Sequence, residues 1–235
     1  MTRTIVVIGG SSGIGHAIAH GFARQGPARV IATGIEPAAP AGFASDMLEF
    51  QTLDVANTHE VQAFFTTLNR LDVLVNCAGI IRRNGAEFTA SGFEQVININ
   101  LTGTLRCCEA AKSLLAQSQG CIINTASMLT FFGSAFSPAY SASKGGIGQL
   151  TKSLASAWAV EGIRVNALAP GWIKTDLTAA LEKNSERSAQ IIARTPMQRW
   201  GTPDDLVGPA LFLASDQAGF VTGSILPVDG GFSAN

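Results

Sequence analysis

The feature that most constrains this chain is an alternation, sustained from end to end, of short apolar runs with longer amphipathic or alanine-rich stretches. TIVVIG, RVIAT, FQTLDV, DVLVN, CIINTAS, IRVNALAP and SILPVDGG make seven strand candidates. Helical stretches are expected from about Gly13, around residues 57 to 69, through Glu94 to Gln117, from about Tyr140 to Val160 and from about Pro203. Apolar runs too short for a core helix suit strands buried on both faces, and helical crossovers between them make the pairing parallel. The expected fold is α/β, a doubly wound parallel sheet of about seven strands with helices on both faces. One interval breaks the pattern. GIEPAAPAGFASDMLE, between RVIAT and FQTLDV, carries prolines and glycines that leave little room for a crossover helix, so a loop or one irregular turn is expected there.

Composition narrows the function classes. The chain has 235 residues, 46% hydrophobic and 14% charged, with a formal net charge of −1. Mean hydropathy is +0.25, yet no apolar run approaches the ~18 residues of a membrane helix. Near-zero charge offers no field for nucleic acid or anionic lipid. No polar or Pro/Gly-rich linker divides the chain, so one domain over 1–235 is expected. MTRTIVVIGG does not read as a signal peptide, which points to the cytoplasm. Cys77, Cys107, Cys108 and Cys121 show no metal-ligand spacing and read as small buried apolar residues. His16 and His20 share a helical spacing but lack a third ligand, so no metal site is expected.

IGGSSGIG follows the first strand and opens a helix. Gly9, Gly13 and Gly15 allow close approach of a pyrophosphate to the positive helix end. The spacing is GxxxGxG rather than GxGxxG. A second motif is PAYSASKGG, residues 138–146, which holds the one tyrosine of the chain. Tyr140 and Lys144 are four apart and share a helix face. They can be a packed aromatic beside a solvated lysine, or an ammonium that biases the ionisation of a phenol. At about 4 Å and an effective dielectric near 20, the charge favours the phenolate by up to ~4 kcal/mol, or ~3 pKa units.

GGSSGIG, Asp54 at the end of the third strand, NCAG at residues 76–79, Asn100 in ININL, Ser127, the YSASK run and PGWIKT at 170–175 together resemble the short-chain dehydrogenase/reductase family. The resemblance spans the first strand to the last. It implies a Rossmann-type sheet and an NAD- or NADP-dependent oxidoreductase site at the carboxyl ends of the strands. Tyr140 would be the general acid/base, with Lys144 lowering its pKa and holding ribose hydroxyls. Ser127 would bond the substrate oxygen, and Asn100 would position a water that links Lys144 to solvent. Gly9, Ser11, Ser12, Gly13, Ile14 and Gly15 would form the phosphate turn. Asp54 would take the adenine amino group with Val55 beside it. Asn76, Ala78 and Gly79 would floor the adenosine ribose, and Pro170, Gly171, Ile173 and Thr175 would hold the nicotinamide. Two positions depart from the family: Ile8 stands where threonine is usual and Cys77 where asparagine is usual.

No arginine or lysine stands beside the glycine turn or after the second strand, where Thr33, Gly34, Ile35 and Glu36 follow one another. That absence points to NAD over NADP, although the acid that commonly grips the ribose diol of NAD is also missing from the strand end unless Glu36 fills its place. Residues 176–200 read as a substrate lid. The runs at 80–83, 126–129, 186–196 and 199–209 resemble 2-dehydro-3-deoxygluconate and gluconate 5-dehydrogenase members of the family. Such sugar acids would suit Arg82, Arg83, Arg187 or Arg194 as a carboxylate partner. The apolar residues after Ser127 equally suit a less polar ketone. Alternatives are a 3-oxoacyl thioester reductase and a nucleotide-binding protein without chemistry. The resemblance also implies a homotetramer, with a dimer as the fallback.

Overall fold

Residues 2–39, 43 and 48–234 are described by the structure, a computed structural model. The strands are Arg3–Ile8 (β1), Ala28–Gly34 (β2), Leu48–Thr52 (β3), Val73–Asn76 (β4), Cys121–Thr125 (β5), Arg164–Pro170 (β6) and Ile225–Val228 (β7). They form one sheet in the order β3-β2-β1-β4-β5-β6-β7, parallel at each pairing. All seven apolar runs of the sequence become strands of it. The helices are Gly13–Arg24 (α1), Thr58–Thr66 (α2), Ala90–Ile97 (α3), Gly103–Ser118 (α4), Pro138–Trp158 (α5), Ala179–Glu182 (α6), Ser185–Arg194 (α7) and Val207–Leu213 (α8).

The continuous apolar character of β1 follows from its two covered faces. Ile5 and Val7 pack with Ile18, Ala19 and Phe22 of α1 and with Ala210 and Leu213 of α8. Val6 and Ile8, pointing the other way, pack with Phe64 and Phe65 of α2 and with Cys107, Ala111 and Leu115 of α4. Each large side chain so buried contributes ~1.5–3 kcal/mol relative to exposure. A polar residue at either parity would lose that on one face or the other. Cys107, Cys108 and Cys121 obey the same logic, and burial pushes Cys108 up to about 12 and Cys121 up to about 11; Cys77, a free thiol like the others and expected to be buried with them, is only partly covered.

One expectation about elements is refined, and another is met over the described residues. The helix foreseen from Glu94 to Gln117 is present as a continuous helical stretch in which a π-helical turn over Asn98–Thr102 separates α3 from α4. The physical reason is Asn100, whose carbonyl accepts the Thr104 hydroxyl at 2.8 Å while its buried side chain is drawn toward Ile80 and Ser143. The irregular interval after β2 is bent over residues 35–38, and Phe43 within it is buried against His16, His20 and Phe50. The remainder of that expectation lies outside the described residues. Among those described, no helix is long and apolar enough to cross a membrane, and no cluster of three metal-ligating side chains occurs.

Candidate active site

The chain leaves β1 for β2 on one side and returns to place β4 on the other, so the connections diverge at the carboxyl ends of these strands. A cleft of about 690 Å³ opens there, running from the glycine turn to Tyr140 and the segment after β6. Gly9 and Gly13 have φ of +72° and +53°, a left-handed backbone that other residues rarely adopt. A Cβ on Gly9 would strike the backbone of Ala78, and one on Gly15 would strike the Gly9 carbonyl. Ser12 precedes α1 in extended backbone, makes no side-chain cap, and is followed by no acidic residue in the first turn. The first N–H groups of α1 therefore meet no carboxylate of their own, and the turn fits a bound phosphate.

At the end of the cleft beside β2, Glu36 folds back over Gly34, where a Cβ would collide with both the Glu36 carboxylate and the Ser11 hydroxyl. Glu36 Oε2 is shielded from water and has no hydrogen-bond partner among the described residues. Asp54 is exposed on the rim, its Oδ1 accepting the Ala56 N–H at 2.8 Å. At the far end, Gly13 faces Thr175, whose Cγ2 would lie 3.4 Å from a Cβ there. The Thr178 hydroxyl ties the Ile173 carbonyl to the Thr175 N–H at 2.5 and 3.1 Å, which fixes the turn after β6.

Ser127, Tyr140 and Lys144 meet in this cleft. Ser127 ends the loop after β5 and caps a short 3-10 turn, with its hydroxyl accepting the Leu129 N–H. The Ser127 N–H donates to Thr130 Oγ1, and that hydroxyl donates to the Lys144 carbonyl at 2.8 Å. One threonine thereby clamps the serine loop to α5. The Ser127 side chain lies close enough to the Tyr140 phenol to favour its ionised form. Lys144 is 4% exposed, donates to the Thr125 carbonyl at 2.6 Å, and lies 5.5 Å from the centroid of the Tyr140 ring.

The electrostatics correct one expectation. Desolvation pushes the Tyr140 phenol up to about 12, with the Ser127 side chain lowering it and the charge of Glu87 raising it further. Burial pulls Lys144 down to about 8. The ammonium alone does not bring the phenol toward neutrality. Its hydrogen bond is spent on a backbone carbonyl, and both groups pay for leaving water.

Most of the residues foreseen for the site do line the cleft: Gly9, Ser11, Ser12, Gly13, Ile14, Gly15, Asp54, Val55, Ala78, Gly79, Pro170, Gly171, Ile173 and Thr175. Asn76 and Asn100 do not. Asn76 is buried under the sheet end, where it donates to Asn124 Oδ1 at 2.9 Å, and Asn124 in turn donates to Thr151 of α5. Asn100 is 1% exposed, and its side chain exchanges bonds with the Ile80 backbone and donates to Ser143. None of Arg82, Arg83, Arg187 and Arg194 lines it either. Arg82 bonds Gln95, Arg83 bonds the Leu177 carbonyl, Arg187 stacks on Phe136, and Arg194 stacks on Phe232 at 4.2 Å. Cys77, where asparagine was expected, accepts from the Thr125 hydroxyl at 3.2 Å, and Ile8 is simply core.

Sequence reasoning missed Glu87, Asn124 and Thr151. A polar residue inside the apolar run CIINTAS was the one available signal for Asn124. Nothing in the spacing announces Glu87, because its partner is fifty-three residues away.

A family model described as enoyl-(acyl carrier protein) reductase matches residues 8–233. The 2-dehydro-3-deoxy-D-gluconate 5-dehydrogenase of Pseudoalteromonas atlantica is 43% identical, over 98% of this chain and 95% of its own length. The enzyme of that name from Escherichia coli is 38% identical over 99% and 96%. The crystal structure of a gluconate 5-dehydrogenase from Burkholderia cenocepacia, in complex with NADP and tartrate, superposes with a TM-score of 0.93 at 32% identity, covering 99% of this chain and 96% of that one.

Proposed function

The chain belongs to the short-chain dehydrogenase/reductase family, whose members here are dehydrogenases acting on CH–OH groups, and from that premise we propose that it interconverts a secondary alcohol and a ketone on a sugar acid such as 2-dehydro-3-deoxygluconate. The observation that carries the reading is the meeting of Ser127, Tyr140 and Lys144 at the far end of a cleft that begins in a phosphate-fitting glycine turn. A nicotinamide dinucleotide, when bound, supplies or takes up the hydride. Ser127 and the Tyr140 hydroxyl hold the substrate oxygen, and Tyr140 passes it the proton in reduction or removes it in oxidation. Lys144 favours the phenolate once it carries its charge, and Asn100 holds the Ile80 loop and Ser143 beside it. Asp54, Val55, Ala78 and Gly79 face the adenosine half, and Ile173 and Thr175 the nicotinamide half.

Glu36 supports NAD as the preferred dinucleotide. A 2′-phosphate there would meet a carboxylate and no cation, whereas a ribose diol would give Oε2 the donor it lacks. The bound NADP of the Burkholderia structure is a property of that protein. Residues 176–200, carrying α6 and α7, serve as the substrate lid, with Arg187 and Arg194 on α7 within the moving part.

The test is a screen of sugar acids, keto-uronates, simple alcohols and 3-oxoacyl thioesters, each with NAD(H) and NADP(H), read by reduced-nicotinamide absorbance. Turnover confined to thioesters, or absent throughout, would overturn the reading.

A further inference from the structure

Glu87 sits in a short 3-10 turn, Ala86–Phe88, after the loop that leaves β4, and it is 1% exposed. Its two carboxylate oxygens are both engaged by backbone. Oε1 accepts the Arg82 N–H at 2.8 Å and Oε2 accepts the Tyr140 N–H at 2.9 Å. No cation pairs with it among the described residues. Burying an unpaired carboxylate costs several kcal/mol, so its persistence there calls for a compensating role.

The position within α5 supplies one. Ser137 makes no side-chain cap, Pro138 has no N–H, and Tyr140 is the third residue of the helix. Its amide is one of the donors that a helix start leaves without an internal partner. Glu87 caps it from another element, at the positive end of α5. The two backbone donors reach different oxygens of the carboxylate, and glutamine would turn an NH2 group toward one of them.

We propose that Glu87 is a positioning residue for the Tyr140 hydroxyl: its carboxylate pins the tyrosine backbone to the loop after β4, and its charge opposes that of Lys144 at the site. The proposal rests on Tyr140 being the proton-transfer group of the site. Around the phenol, the titratable and charged groups on neighbouring elements are Glu87 from the 3-10 turn, Lys144 on α5 itself, and Cys77 at the end of β4 beside Lys144. Glu36, Asp54 and Asp176 line the same cleft from the strand ends. Glu87 is the carboxylate bonded to the tyrosine. With the phenol kept protonated, the site is ready to donate in carbonyl reduction, and the ammonium acts only when the proton leaves.

Because the chain has a single tyrosine, its ionisation can be followed without turnover, by tyrosinate absorbance immediately after a rapid pH jump. Glu87→Gln should move the midpoint to lower pH by about half a unit or more, and Glu87→Asp, which keeps the charge, should shift it less than half as far. A Glu87→Gln midpoint equal to or above that of the parent overturns the proposal. If Glu87→Gln does not fold, hydrogen exchange at the Tyr140 amide decides. Glu87→Asp, too short to hold both donors, should speed it about tenfold or more at unchanged global stability; unchanged protection overturns the proposal. A titration shift in a protein that turns over no substrate would leave Glu87 standing and remove the catalytic reading, so the two fail separately.

Discussion

At the residue scale, Tyr140 and Lys144 show what a spacing can and cannot say. Four positions apart in a helix, they had to share a face, and they do, at 5.5 Å from ring centroid to ammonium. Whether the phenol is made more or less acidic was not legible, since it depends on desolvation, on Ser127 and on Glu87. Tyr140→Phe should fold normally, bind dinucleotide as the parent does, and lose about a hundredfold or more in turnover; activity within about tenfold would contradict the assignment. The same variant should resist alkali better. The folded phenol, held up to about 12, keeps its proton beyond the ordinary value near 10, so the native state binds more protons than the unfolded chain over that interval. Stability present below about pH 10 is then lost as pH rises toward 12, by up to about 3 kcal/mol. Lys144 has the opposite tendency from about 8 upward, but it is common to both proteins. Urea midpoints at about pH 9 and about pH 11 should fall more for the parent than for the phenylalanine variant. Glu36 makes the second residue prediction. Removing its charge in Glu36→Ala should raise the NADP-to-NAD ratio of kcat/KM by about tenfold, and an unchanged ratio would separate Glu36 from dinucleotide choice.

Among the elements, the glycine turn and the strands were readable because their constraints are local: a left-handed φ at Gly9 and Gly13, and apolar runs with two faces to cover. The π turn between α3 and α4 was not, because the Asn100 side chain that marks it is held by Ile80 and Ser143 from other segments. A clearer local device is the cap before α8. Asp205 accepts the Thr202 N–H at 2.7 Å and a two-pronged contact from Arg199 at 2.7 and 2.8 Å. The Arg199 guanidinium, chiefly by hydrogen bonding, holds the Asp205 carboxyl well below the usual carboxylate range. Asp205→Ala should cost about 1–2 kcal/mol at neutral pH, most of it the cap, since the ion pair is half in water. With the folded pKa depressed, this stabilisation is present above the unfolded value near 4 and disappears as pH falls through the folded one. Thermal unfolding of parent and variant should therefore differ at pH 7 and converge in acid; a constant gap would mean that the charge plays no part.

For the whole molecule, the exposed apolar side chains carry the expectation of assembly. Phe93 on α3, Leu105 on α4 and Val160 after α5, the last 91% exposed, extend the faces that the family resemblance assigns to a helical subunit contact. Phe220, wholly exposed ahead of β7, stands near the second contact. Light scattering at micromolar concentration should give a tetramer, and a monomer would contradict the assignment. The sequence by itself determined the parallel sheet, the glycine turn and the sharing of one helix face by Tyr140 and Lys144, because periodicity, backbone freedom and side-chain spacing act over a few residues, whereas Ser127 was singled out by the family resemblance. Only the tertiary structure decided that Asn76 and Asn100 brace the site from behind, that the four arginines stay outside the lining of the cleft, and that a carboxylate from another element caps the tyrosine. Hydrogen bonds between segments fifty residues apart, and the loss of water that comes with burial, leave no trace in local spacing; they exist only once the chain has closed on itself.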